Sequence, residues 1–184
     1  MTQDRTSPSA RRSELLEAAY AYVLAHGLAD MSLRPLAAAV GSSPRVLLFL
    51  FGSKDGLIRE LLARARADEL ALLGALSEPI GLAAAAERLW EWAADPGHRP
   101  LLRLWTEAYG RSLVEPDGAW SGFAKATVDD WLAVLAACEP EADPARLTLA
   151  LAVLRGAILD LVATDDEERT GAAVRLHLDR LTRM

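Results

Sequence analysis

Residues 32 to 57, SLRPLAAAVGSSPRVLLFLFGSKDGL, are cut by glycines into two short apolar helices and the start of a third. Leu33, Leu36, Ala37 and Val40 recur at spacings of three and four, which makes one face of a helix apolar. Ser32 stands just before that run, where its hydroxyl is placed to cap free backbone N–H groups. Gly41 ends it, because glycine takes a left-handed turn at little cost. Ser43 is placed to cap the next helix, and Pro44 fits its first turn, where no N–H is needed. Gly52 closes that short helix, and Ser53 caps a long one that begins at Lys54. Two helices with a tight glycine turn form the arrangement that lays its second helix in a DNA major groove.

The same signals divide the rest of the 184 residues into about nine helical segments in all. The first runs from about Ser9 to His26 and ends at Gly27, with Leu15, Leu16, Ala19, Tyr22 and Val23 as its buried stripe. The helix from Lys54 is expected to reach about Leu76. Pro79 and Gly81 open another through Trp90 to Ala94, and Asp95-Pro96-Gly97 stops it. Further segments are expected at His98 to Val114, Ala119 to Ala137, Asp143 to Ala163 and Asp166 to Arg183. No stretch keeps the period-two alternation of a half-buried strand. The chain therefore reads as all-α: a head over residues 1–56, a linking helix over 54–76, and a larger helical body over 57–184.

The net charge of -6 is unevenly spread. Residues 1–66 hold 9 Lys+Arg against 6 Asp+Glu, whereas residues 67–184 hold 11 against 20. A mildly basic head on an acidic body suits a protein whose first third meets phosphates. Cys138 is the single cysteine, which excludes an intrachain disulfide and points to a reducing compartment. The N-terminal MTQDRTSPSARR has no apolar core of a signal peptide. No apolar stretch was expected to reach the roughly 18 residues of a membrane span. These features together imply a cytoplasmic protein with no membrane partner.

At the level of individual positions, the first 60 residues resemble the DNA-binding head of the TetR family of transcriptional regulators. Leu16 and Ala18-Ala19 sit where that family has its first-helix core, and Gly27-Leu28 match the residues that end this helix. Ser32 occupies the usual Ser/Thr position, Leu36-Ala37 match Ile-Ala, and Gly41 with Ser43 match the turn. Leu47, Phe51, Ser53, Lys54 and Leu57 match the signature that opens the fourth helix. The resemblance covers about a third of the chain. It implies a homodimer that binds a double-stranded DNA operator and answers to a small-molecule effector. One departure stands out: Leu48, Phe49 and Leu50 replace the tyrosine or histidine that commonly reaches backbone phosphates.

Candidate DNA contacts are Ser32, Arg34, Ser42, Ser43, Arg45, Val46, Phe49 and Lys54. Ser32 and Ser43 mark helix N-termini, which suit a phosphate as well as a plain cap. Arg45 is the one charged residue of the recognition helix, and it has the reach to read a guanine edge or clamp a phosphate. Lys54 resembles the family lysine that touches phosphate, and Arg11 and Arg12 are candidates for backbone or minor-groove contacts, with a solvated charge pair the equal alternative. Of Phe49 and Leu50, one is expected to pack inside the head. The other, exposed, would meet thymine methyls.

All five tryptophans lie in the middle of the chain. Trp90, Leu102, Trp105, Thr106, Tyr109, Trp120, Phe123, Thr127 and Trp131 are the candidate ligand-pocket residues, since small-molecule sites are apolar and aromatic with few polar groups. Packed core is the competing reading of the same stripes. Leu147, Leu151, Leu154, Ile158 and Leu161 repeat at 4-3-4-3, and Val174, Leu178 and Leu181 at 4-3, the seam of a shallow-angle helix pair. The resemblance assigns that seam to the dimer interface. A second face, with Leu149, Val153 and Gly156, leaves apolar surface for packing and self-association together. His26, His98 and His177 are scattered, and the acids Asp129-Asp130 and Asp165 to Glu168 have no histidine or cysteine at ligand spacing. No catalytic residue, metal or cofactor is therefore expected. A family-like module that binds a ligand or protein partner, with weak or no DNA binding, is the second reading.

Overall fold

A computed structural model of the chain describes residues 8–28, 31–74 and 79–182. Those residues form nine α-helices and one 3-10 turn at Pro96–His98, with no strand among them. The helices are α1 (Pro8–His26), α2 (Leu33–Ala39), α3 (Pro44–Phe51), α4 (Lys54–Gly74) and α5 (Leu82–Ala94). They continue with α6 (Arg99–Val114), α7 (Phe123–Cys138), α8 (Pro144–Thr164) and α9 (Glu167–Leu181). The expected ends of the fourth and last helices, at Leu76 and Arg183, lie outside the described residues.

Local chemistry accounts for most of these boundaries. Gly41 takes a positive φ of 63°, and the Ser42 N–H donates back to the Ala37 carbonyl at 2.8 Å to close α2. Ser43 caps α3 by accepting from the Val46 N–H at 3.3 Å, and Ser53 caps α4 by accepting from Gly56 N–H at 2.9 Å. Gly56 is needed for another reason: a Cβ there would lie 2.1 Å from the Phe51 carbonyl oxygen. Ser32 precedes α2 with extended backbone but makes no side-chain cap. Asp143 and Asp166 cap α8 and α9, accepting from Ala145 N–H at 2.7 Å and Arg169 N–H at 3.0 Å. Glu167 and Glu168 in the first turn then favour the helix dipole. The seventh helix starts later than its composition suggested. Residues 119–122 form a turn, ended by left-handed Gly122, and place Ala119 and Trp120 against the head.

Two apolar clusters organise the packing. One gathers Leu15, Ala19, Val23, Leu36, Leu47, Phe51, Leu57 and Leu61 from α1 to α4, and adds Leu104, Ala108, Trp120 and Phe123 from the body. The other is the body's own core, built on Leu82, Leu89, Trp90, Trp131, Leu135, Leu151, Leu154 and Val174. Helix α4 feeds both, through Leu61 and Ala65 at one end and Leu73 at the other.

The eight residues expected along the self-association seam all turn inward. Leu147, Leu151, Leu154, Ile158, Leu161, Val174, Leu178 and Leu181 are buried within this one subunit, because α8 and α9 pack on α5 as well as on each other. Their 4-3 spacing reports burial, and the partner is the subunit itself. The outward stripe of α8 is Leu149, Ala152, Gly156, Leu159 and Ala163, again at 3-4 spacing, with Leu176 exposed on α9. With apolar residues on both faces, α8 is 21 residues long with a mean hydropathy of 1.8, long and apolar enough to cross a membrane. By length and composition, then, one stretch does reach the roughly 18 residues that none was expected to reach. Its inner face nevertheless packs into the body core.

Candidate nucleic-acid interface and an aromatic cavity

Helix α3 buries Leu47 and Phe51 and half-buries Leu50 against the head core. Phe49 is left 84% exposed, with Val46 and Leu48 also at the surface. Of the Phe49–Leu50 pair, then, leucine packs and phenylalanine protrudes. Ser32, Arg34, Ser43, Arg45 and Lys54 are all exposed and Ser42 half-buried. Arg34, Arg45 and Lys54 enter no ion pair among the described residues.

Arg12 is used differently from what its position implied. It pairs with Glu60 at 2.8 Å, donates from Nε to the Leu50 carbonyl at 3.4 Å, and lies over the Phe51 ring at 5.1 Å. It therefore braces α3 and α4 against α1. Arg11 pairs with Glu14 at 2.7 Å.

Ion pairs and hydrogen bonds tie α4 to its neighbours along its length. Arg64 bonds Glu17 of α1 at 2.8 Å and also Asp68, while Tyr20 of α1 donates to Asp68 at 2.8 Å. Burial and that carboxylate push the Tyr20 phenol well above its ordinary pKa. Arg66 grips Asp130 of α7 with two bonds, at 2.7 and 2.9 Å. Glu107 of α6 accepts from the Leu28 N–H at 2.9 Å, which anchors the loop after α1 to the body.

Between α4, α6, α7 and α8, with Trp92 of α5 as one wall, lies a narrow, partly open cavity of about 20 Å³, room for one water. Ala65, Glu69, Leu72, Trp92, Leu101, Leu102, Trp105, Trp131, Arg155 and Ile158 line it. Of the residues expected in a pocket, Leu102, Trp105 and Trp131 are on this wall, and Tyr109 accepts a hydrogen bond from Arg155 at 3.2 Å. Trp90 packs in the body core instead, while Trp120 and Phe123 belong to the head cluster. The Thr127 hydroxyl is spent on the Ala124 carbonyl at 3.0 Å. Thr106 is half-buried and not on this wall, its hydroxyl without a partner.

Two charged residues on the wall escaped the sequence reading. Glu69 is 5% exposed, and its Oε1 accepts from the Trp131 indole N–H. Burial raises its carboxyl from the usual 4.5 to about 7; the Trp131 bond and the Arg155 charge oppose that rise, and Asp130 adds to it. Arg155 lies over the rings of Tyr109 and Trp105, at 5.0 and 5.5 Å, and these two rings stack on each other. Its Nε and Nη2 are buried without partners. Burial lowers its pKa, although a guanidinium keeps its charge at neutral pH. Glu69 and Arg155 thus face one cavity without forming an ion pair. Both were recoverable: Glu69 falls on the apolar stripe of Leu62, Ala65 and Leu73, and Arg155 is the lone charge between Leu147 and Leu159.

Residues 15–61 match the family model described as bacterial regulatory proteins, tetR family. The chain carries a TetR-family head. The whole fold is that of TetR-family transcriptional regulators as well. It is 28% identical, with a TM-score of 0.73 over 98% of this chain and 93% of the other, to the multidrug binding protein EbrR complexed with imidazole. The EbrR complex with proflavin gives 29% identity and 0.70, over 93% and 99%. A TetR-family member from Streptomyces coelicolor A3 gives 29% and 0.73, over 93% and 97%. No curated protein matches the chain.

Proposed function

We propose that the chain is a homodimeric, ligand-responsive transcriptional regulator, a cytoplasmic repressor released from a palindromic operator by a small apolar or aromatic effector. The observation that carries this reading is the course of α4. Its N-terminal Lys54 stands beside the exposed face of α3, and its Glu69 lines the aromatic cavity. An effector that wedges the cavity open moves the same helix that sets the head. The narrow cavity has room for one water, whereas drug-sized ligands need several hundred Å³. Entry and helix displacement are therefore one event. A ligand that prefers the displaced form must weaken DNA binding, because coupling is reciprocal.

Ser32, Arg34, Ser42, Ser43, Arg45, Val46, Phe49 and Lys54 form the proposed DNA face. In a dimer, two such faces enter successive major grooves, roughly 34–36 Å apart. The proposed dimer contact is the outward stripe Leu149, Ala152, Gly156, Leu159 and Leu176, since the inward seam is already occupied. Residues 1–56 and 57–184 are the corresponding DNA-binding and ligand-binding parts. EbrR, as a multidrug binding protein that holds proflavin, supports the small-molecule half of this reading.

Selection of bound sequences from random DNA with the purified chain tests the proposal. Recovery of a palindrome whose affinity falls steeply with salt supports it, because phosphate contacts release counterions. The second reading, a ligand- or partner-binding module with little hold on DNA, draws on the apolar surface of α3 with Arg45 as its one charge. Failure to enrich any sequence would favour it.

A further inference from the structure

The side-on edge of an arginine, its Nε–H and one Nη–H, is the geometry that grips a carboxylate with two parallel hydrogen bonds. In Arg155 those two nitrogens, Nε and Nη2, are both buried and both lack partners, while Nη1 is occupied by Tyr109. A buried guanidinium with an empty fork is costly unless something fills it. Arg155 is on the wall of a cavity whose other surfaces include Trp92, Trp105 and Trp131, aliphatic side chains and Glu69. We infer that the cavity takes an aromatic carboxylate, its ring against the tryptophans and its two oxygens on Nε and Nη2 of Arg155. This rests on the reading of the cavity as an effector pocket and names the class of effector.

The remaining charge in the site agrees with this assignment. Arg155 forms no ion pair within the described residues, so its charge is met only by the Tyr109 and Trp105 rings and by the more distant Glu69. Glu69 is the one acid on the wall, and burial already favours its neutral form near pH 7. An arriving carboxylate pushes Glu69 further toward that form, and the protonated acid has an O–H to donate. Binding then takes up a proton, and affinity falls as pH rises above neutrality. A cation has the opposite problem, since it must enter beside Arg155.

Calorimetric titration of the full chain with benzoate, benzyl alcohol and benzylammonium separates the possibilities. Benzoate is expected to bind about 10- to 100-fold more tightly than benzyl alcohol, with benzylammonium weakest. Arg155→Met should abolish the preference for benzoate over benzyl alcohol, and Arg155→Lys, which keeps the charge but not the fork, should reduce it. Glu69→Gln should flatten the decline of benzoate affinity between neutral and alkaline pH. The ranking of the three probes on the unmodified chain stands even if Arg155→Met unfolds. Benzylammonium binding as tightly as benzoate, or benzoate affinity untouched in a folded Arg155→Met, overturns the inference. Binding of benzyl alcohol without a preference for benzoate overturns the carboxylate assignment alone. Failure of all three probes to bind removes the pocket reading with it.

Discussion

Replacing Glu69 by glutamine keeps the volume and an acceptor for the Trp131 indole, but removes a titrating group from the wall of the cavity. In the folded chain burial lifts that carboxyl to about 7 from 4.5. An acid whose folded pKa is raised binds its proton more tightly in the folded state. Its contribution to stability is therefore fully present below the unfolded value and is lost as pH rises through the folded one. At about 1.4 kcal/mol per pH unit, the difference amounts to about 3 kcal/mol between acid and alkaline conditions. Urea unfolding of the two proteins at pH 5 and pH 8.5 measures it. About 2.5 kcal/mol of that falls between these two pH values, so with a urea slope of about 2 kcal/mol per molar the wild-type midpoint should drop by about 1.3 M relative to Glu69→Gln. Titrating groups that do not interact with Glu69 cancel in that difference. A constant offset between wild type and Glu69→Gln at the two pH values would refute the reasoning. It would mean that the ionised carboxylate finds a compensating partner, with Arg155 the nearest candidate.

Other outcomes follow from the outward surfaces. Arg45→Ala should weaken operator binding by about 1–3 kcal/mol if the side chain reads a base, and a mobility-shift titration checks this. Replacing operator thymines by uracil removes only the methyl groups, so it should weaken binding to the wild type but not to Phe49→Ala; equal losses in both would discard the methyl contact. Leu159→Arg should convert a dimer to a monomer in sedimentation. Leu151→Ala, one row inward, should instead cost about 2–5 kcal/mol of stability and leave the dimer intact.

The sequence was most legible where a backbone constraint and an apolar period coincide. Gly41, Ser43, Pro44, Gly52 and Ser53 mark the helix-turn-helix because each supplies a cap or a φ that few residues supply as well. Ser32 shows the limit of that logic, since a capping residue in position need not form the cap. The turn at residues 119–122 was missed because alanine, tryptophan and serine there carry no strong breaking signal ahead of Gly122. Periodicity established that Leu147 to Leu161 face a packed surface, but a repeat of four and three does not say whether a sibling helix or a second copy covers it. Aromatic residues were a poor guide to the cavity for the same reason: Trp90 and Trp120 fill cores, while Trp105 and Trp131 line space. Better pointers are the charges that interrupt apolar stripes, Glu69 and Arg155. A charge on a buried face has to be answered by something, and here the Trp131 indole answers Glu69 while the Tyr109 and Trp105 rings answer Arg155.

Leu104, Ala108, Trp120 and Phe123 complete the core beneath α1 to α4, and Glu107 clasps the Leu28 amide from the same side. The proposed DNA face is thus not a module in the thermodynamic sense. Cutting the chain after α4 would strip the head of its apolar floor, so a boundary drawn by function is not one along which the protein melts. Head and body should lose structure in a single transition, and substitutions deep in α6 or before α7 should be felt at the operator as changes in how firmly the recognition helix is held.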